Sequence, residues 1–211
     1  MIPSLHEFLF AVAPLAALTN PIAEMPVFLS IVEGRTTRGQ TAAAMEVGLG
    51  VLVVLTIAVL VGQPALTSLG ISIPAFRAAG GLLLVTMGLE MSRGDEPALQ
   101  TATTGVAGVD DRLWVPFVMP MLAGPGAIVT AISLSFREVE LRPMPLATLA
   151  AVVMCSVMVL LVLMAAPLVM RRSTTRTRRI MTRFSGLLLV AIGFQMGFTG
   201  IAEFFGIEVG A

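Results

Sequence analysis

Leu18-Thr19-Asn20-Pro21-Ile22-Ala23-Glu24-Met25-Pro26 interrupts an apolar run, Phe8–Val32, that is otherwise long enough to cross a membrane. Proline in a helix interior removes a backbone donor and clashes with the preceding turn, at a cost of about 3 kcal/mol in water. In lipid the released carbonyls must also find new partners. A carboxylate near the bilayer centre costs about 2.5–3.5 kcal/mol on insertion scales. A simple anchor helix has no use for an Asn, two Pro and a Glu at this place. A related interruption follows about a hundred residues later, at Leu122-Ala123-Gly124-Pro125-Gly126-Ala127. The two segments read as the halves of one binding site.

The surrounding composition gives these breaks their setting. Of 211 residues, 56% are hydrophobic and 12% charged, and the mean hydropathy is +0.94. Those values describe a polytopic membrane protein rather than a soluble domain. No basic patch with interleaved aromatics points to nucleic acid. Cys155 is the single cysteine and His6 the single histidine, so a disulfide framework within the chain and a His-based metal cluster or triad are both excluded. The fourteen Met are scattered rather than stacked and suit gap-filling better than metal transport. The N-terminus carries Glu7, lacks a basic leader region and is broken by Pro14 and Pro21. A retained first span is therefore expected rather than a cleaved signal.

Six helical spans are predicted: Phe8–Val32, Thr41–Val61, Pro74–Met91, Leu113–Phe136, Met144–Met170 and Ile180–Phe205. A Gly/Pro-containing turn is expected between Val61 and Ile73. The polar segment 95–112 reads as a cytoplasmic connection between a first unit, residues 1–94, and a second, residues 113–211. Arg35, Arg38, Arg93, Arg112 and six arginines from Arg171 to Arg183 fall on one side, against Arg77, Arg137 and Arg142 on the other. The positive-inside rule then places both termini in the periplasm. Arg77 opens the third span and reads as an interfacial anchor. Glu46 and Glu90 lie near span ends, where snorkelling is cheap.

The two units repeat. Gly81-Leu82-Leu83-Leu84-Val85-Thr86-Met87-Gly88-Leu89-Glu90-Met91, shifted by 105 positions, meets Gly186-Leu187-Leu188-Leu189-Val190-Ala191-Ile192-Gly193-Phe194-Gln195-Met196 with seven of eleven residues identical. Leu18, Pro21 and Ala23 shifted by 104 meet Leu122, Pro125 and Ala127. Three spans per copy force opposite orientations, the inverted-repeat plan of many secondary transporters. The fold expected is thus all-α, with six transmembrane helices in two inverted three-helix repeats and helices one and four broken at mid-membrane. Gly81 and Gly88 share a helix face, as do Gly186 and Gly193, and both pairs read as close-packing positions.

Inversion gives the breaks a chemistry. Asn is a favoured N-cap and Pro a favoured first helical residue, so Asn20-Pro21 and Gly124-Pro125 each end one half-helix and start another. The restarted halves then meet N-terminus to N-terminus, with unpaired N–H groups and partial positive charge aimed at one point. Carbonyls near Leu18 and Ala123 offer places for an ammonium group. Donors beside acceptors suit a zwitterion, and small residues at 123, 124, 126 and 127 suit a small one. The candidate substrate-binding residues are Thr19, Asn20, Pro21, Ile22, Glu24, Ala123, Gly124, Pro125, Gly126, Ala127 and Thr130. The competing reading makes both prolines kinks for packing or gating, and Thr19 and Thr130 back-bond to their own helices. Glu24 has three readings: a receptor for the substrate ammonium, a carrier of a coupling proton, or a carboxylate facing a water-filled vestibule.

Asn20-Pro21-Ile22 with Pro26-Val27-Phe28-Leu29, Leu69-Gly70-Ile71-Ser72-Ile73-Pro74-Ala75-Phe76-Arg77-Ala78-Ala79-Gly80-Gly81, and Pro120-Met121-Leu122-Ala123-Gly124-Pro125-Gly126-Ala127-Ile128 resemble the MarC family of bacterial inner-membrane proteins, also called SnatA-like small neutral amino acid transporters. The resemblance covers nearly the whole chain. It implies six helices, location in the bacterial inner membrane and, for some members, transport of glycine and alanine. The family's usual first motif has a small or amide residue where this chain has Glu24. Residues and resemblance together lead to the expectation of a secondary transporter, not an enzyme, with no cofactor and with H+ or Na+ as coupling ion. Its partners would be a small neutral amino acid and the lipid bilayer, with no nucleic acid, and a homo-oligomer is left open. The alternatives are a non-transporting scaffold or regulator, or an exporter of another small solute.

Overall fold

The computed structural model describes residues 5–93, 113–139, 144–170 and 175–207. The expected connection 95–112 lies outside the described residues, as do Arg142, Arg171 and Arg172. Eight helices are described: α1 (Leu5–Thr19), α2 (Pro21–Ile31), α3 (Thr37–Ser68), α4 (Ile73–Arg93), α5 (Leu113–Leu122), α6 (Pro125–Val139), α7 (Leu146–Met170) and α8 (Thr175–Phe204). Those described residues contain no strand.

Among the described residues, four helices are long and apolar enough to cross a membrane: Thr37–Ser68, Ile73–Arg93, Leu146–Val169 and Gly186–Phe204. The runs Phe8–Val32 and Leu113–Phe136 are instead each divided in two, at Asn20 and at Ala123-Gly124. The turn expected after Val61 begins only at Leu69, because α3 continues through Pro64. A proline forfeits one intrahelical bond, and here Leu66 is held by packing with Ala58, Ile73 and Ile132. At 32 residues α3 is about 48 Å long, more than the hydrocarbon core is thick, so it must tilt or protrude.

The burial pattern is that of a protein solvated by lipid. On α7 the buried residues Ala147, Ala151, Cys155, Val159, Leu163 and Ala166 form one stripe at helical spacing, and on α3 Val47, Val51, Leu55 and Val59 do the same. The opposite faces are apolar too. Leu49, Val53, Ile57 and Leu60 on α3, and Val153, Val157, Leu161, Met164 and Leu168 on α7, are exposed. A helix apolar all round belongs in a core or a bilayer, and outward apolar faces this extensive exclude water as the solvent. Inside, all eight described helices contribute to one core, α4 through Leu84 and Met91 and α8 through Leu189. The rings of Phe28 on α2 and Phe117 on α5 meet in it at 5.8 Å between centroids.

The helices α4 and α8 approach more closely than side chains would permit. A Cβ at Gly81 would lie 2.6 Å from the Gly193 carbonyl oxygen, and one at Gly193 would lie 2.7 Å from that of Gly81. Gly88 and Gly186 oppose each other in the same reciprocal way, at 2.6 and 2.7 Å. Contacts that pair 81 with 193 and 88 with 186 require the two helices to run antiparallel. The glycines predicted to pack therefore do so, backbone against backbone.

Polar contacts fix the ends. Arg77, expected as an interfacial anchor, is 7% exposed and ion-paired with Glu203 near the end of α8. Glu138 accepts hydrogen bonds from the backbone N–H groups of Ala147 and Thr148 at 2.7 and 2.9 Å, and from the Thr148 hydroxyl at 2.9 Å. It thereby caps α7 from a different helix. The indole N–H of Trp114 donates to Glu46 at 2.8 Å. Because Arg77 is buried and Glu203 is not, Glu203→Gln strands a cation without its counter-charge. The expected loss is about 1–3 kcal/mol, below the figure for a fully buried pair because Glu203 remains in contact with its surroundings. It is read as a lower unfolding temperature in detergent, with Arg77→Met/Glu203→Gln recovering part of the loss.

Candidate functional site

The first break is built by the backbone of one residue. Asn20 has φ 28° and ψ 57°, and it is the only non-glycine among the described residues with positive φ. Asn tolerates this left-handed conformation better than most residues. Its N–H donates to the Ala16 carbonyl at 3.1 Å, which is how a left-handed residue closes a helix C-terminus. Pro21 then starts α2 where no donor is needed. The expected N-cap role is corrected here: the Asn20 side chain makes no cap hydrogen bond. With φ positive, the residue ends α1 through its backbone, and its amide is left for other use.

The second break has a different origin. α5 is a π-helix, and its last bond runs from the Ala123 N–H to the Val118 carbonyl, five residues back, at 2.8 Å. Pro116 and Pro120 have no backbone N–H to give to the helical bonds of this stretch. Gly124 follows, its carbonyl accepting from the Ile128 N–H at 3.0 Å, and Pro125 opens α6. Nothing in the composition of Leu113–Leu122 distinguishes a π-helix from an α-helix, and the sequence reading missed it.

The two breaks meet at one small cavity of about 30 Å³, room for about two water molecules. Its wall comprises Leu18, Asn20 and Glu24 from the first break, and Gly124, Gly126 and Ala127 from the second. Leu84, Met87 and Met91 of α4 and Leu189 of α8 complete it. Two pairs in this wall are equivalent positions of the internal repeat: Asn20 with Gly124, and Leu84 with Leu189. Gly126 is closed over by Leu84, whose Cδ2 would lie 2.1 Å from an added Cβ. Glu24 lies in the first turn of α2, where its charge complements the helix dipole. Among the described residues it is the only ionisable one in the wall. Among the described residues it has no hydrogen-bond or ion-pair partner.

The remaining candidates stand around the cavity rather than on it. Thr19 is buried and donates to its own helix, to the Ala16 carbonyl at 3.4 Å. Thr130 is buried against Met196, with its hydroxyl 3.5 Å from the sulfur. Pro21 and Ala123 are buried behind the wall and Pro125 is partly buried. Ile22 is 46% exposed, since helical spacing turns it away from the face that carries Glu24. Sequence reading did not find the α4 and α8 contribution, although Leu84 and Leu189 lie within the repeated motif.

Comparison with known proteins identifies a family. Residues 5–205 match the MarC family of integral membrane proteins. A UPF0056 membrane protein of Pyrococcus abyssi is 30% identical over 207 residues, covering 98% of this chain and 100% of its own. One from Methanocaldococcus jannaschii is 31% identical, covering 93% and 97%. The UPF0056 membrane protein YhcE of Escherichia coli is 31% identical, covering 90% of each. No solved structure matches the chain. With the apolar helices that already require a bilayer, the match over nearly the whole length makes this chain a multi-pass integral membrane protein of the MarC family.

Proposed function

We propose that this protein is a secondary transporter of small neutral amino acids, of the glycine and alanine class, and that the substrate binds between the broken helices. The observation that carries the reading is the cavity shared by both breaks. A scaffold needs close helix packing, but it has no need for two interrupted helices to converge on a void bordered by the Glu24 carboxyl and the Asn20 amide. Small residues at 124, 126 and 127 let backbone N–H groups at the start of α6 reach a ligand directly. A void of about 30 Å³ under Leu84 and Leu189 fits a closed or nearly closed state around a very small solute.

Alternating access follows from a six-span, inverted-repeat arrangement of residues 1–94 and 113–211. Exchange of the two repeats turns the contact of Gly81 with Gly193 into that of Gly186 with Gly88, and both contacts occur. A pseudo-two-fold axis across the antiparallel pair α4 and α8 accounts for that reciprocity. It also accounts for equivalent residues lining one cavity. Two nearly equivalent packings of the repeats, one open to each side, are what such a transporter needs. The arginine bias supports insertion in the bacterial inner membrane with periplasmic termini, and H+ or Na+ would couple transport. Purified protein in liposomes should carry glycine and alanine, but not leucine, in response to an imposed proton or sodium gradient. Absence of gradient-sensitive flux from folded protein inserted in both orientations would remove the reading.

A further inference from the structure

The two broken helices do not offer equivalent poles to a ligand. At the first break, the Glu24 carboxyl sits in the opening turn of α2, beside the positive end of that helix. At the second break, no acidic side chain stands in the opening turn of α6. Pro125 has no N–H, and the N–H groups of Gly126 and Ala127 precede the first intrahelical bond of α6, which reaches Ile128. Both Gly126 and Ala127 line the cavity, as does Glu24. One small void is thus bordered by an unpartnered carboxylate and by a helix N-terminus with no acid of its own. Everything between them is apolar except the Asn20 amide and the Gly124 backbone.

Resting on the transport reading, we propose that Glu24 receives the ammonium group of the substrate while the N-terminus of α6 receives its carboxylate. The substrate lies across the cavity with one pole on each broken helix. Glu24 therefore makes a free amine a requirement. A simple carboxylate of the same size is repelled by Glu24, and an amine without a carboxylate forfeits the α6 contacts. The walls formed by Leu84, Met87, Met91 and Leu189 limit the group on the carbon between the poles to hydrogen or methyl.

Equilibrium binding to the purified full-length protein tests this with three probes: glycine, glycine methyl ester and acetate. The wild type should bind glycine best, the ester more weakly, and acetate at least a hundredfold more weakly than glycine. Glu24→Gln, nearly isosteric, should weaken glycine and the ester at least tenfold each while acetate gains, so that the preference for glycine over acetate collapses. Glu24→Asp keeps the charge and should keep that preference even at reduced affinity. Glycine affinity within twofold of wild type in folded Glu24→Gln would overturn the pole assignment and leave the transport reading intact. Failure of the wild type to bind glycine at all would overturn both.

Discussion

Gly81→Leu drives α4 and α8 apart and leaves little folded protein. An added Cβ at Gly81 would stand 2.5 Å from the Gly197 backbone nitrogen and 2.6 Å from the Gly193 oxygen. Those atoms belong to backbone that cannot turn aside as the end of a side chain can. Overpacking by a single methylene costs about 1–3 kcal/mol, so even Gly81→Ala spends a sizeable share of a typical net stability of about 5–15 kcal/mol. Leucine adds three further carbons with nowhere to go. Helix separation by about 1 Å forfeits a quarter to a half of each dispersion contact along the interface, and in lipid no hydrophobic term draws the helices back together. The expected result is loss of the monodisperse folded peak in detergent for Gly81→Leu and a clearly lowered unfolding temperature for Gly81→Ala. Leu82→Ala, one residue along on the 66% exposed face, should unfold within about 0.5 kcal/mol of wild type.

On the transport reading, Gly126→Ala acts chiefly on flux. The new Cβ meets the Leu84 side chain at 2.1 Å from Cδ2 and 2.7 Å from Cγ. Leu84 can yield by rotation, but the space beside it is the cavity that it lines. Relief of the clash therefore fills the void and covers the Gly126 N–H. Glycine flux should fall at least tenfold, chiefly through a higher KM, while the unfolding temperature moves by no more than the overpacking of one methyl group implies, about 1–3 kcal/mol. Gly126→Leu should abolish flux. Leu84→Ala in the Gly126→Ala background should restore part of the flux, because the two changes share one volume and are not additive. Unchanged flux in Gly126→Ala would detach the cavity from the transport route.

The contrast between these substitutions shows where sequence was informative. Breaks at Asn20-Pro21 and Gly124-Pro125 were legible because proline and glycine act on their own backbone. The chemistry of a single residue decides the outcome wherever the chain then goes. The same holds for the glycine faces of α4 and α8, which announced themselves through the repeat. What sequence could not place were contacts made at a distance. The Arg77 to Glu203 pair, the capping of α7 by Glu138 and the Trp114 to Glu46 bond each join residues with no local pattern between them. Asn20 was identified as the breaking residue for an incomplete reason. Its type fits both an N-cap and a left-handed C-terminal closure, and only the backbone angles distinguish them. Within the site, residue type pointed to both breaks, but helical direction decided which members face the void. Glu24 and Gly126 face it, whereas Ile22 points outward.

On the transport reading, substrate occupies the void between the two breaks, and this void opens and closes during transport. Ala127 tests it most directly, because it lines the cavity and is only 2% exposed. Cys155 is the single native cysteine and is buried at a distance in the sequence and on another helix, so Cys155→Ser supplies a thiol-free background. In that background, Ala127→Cys should react slowly with a small thiol reagent in membranes. Saturating glycine should slow the reaction further, several-fold, whereas leucine should leave it unchanged. A reaction rate at Ala127→Cys indifferent to glycine, in protein that still transports it, would contradict the placement of the substrate between the broken helices.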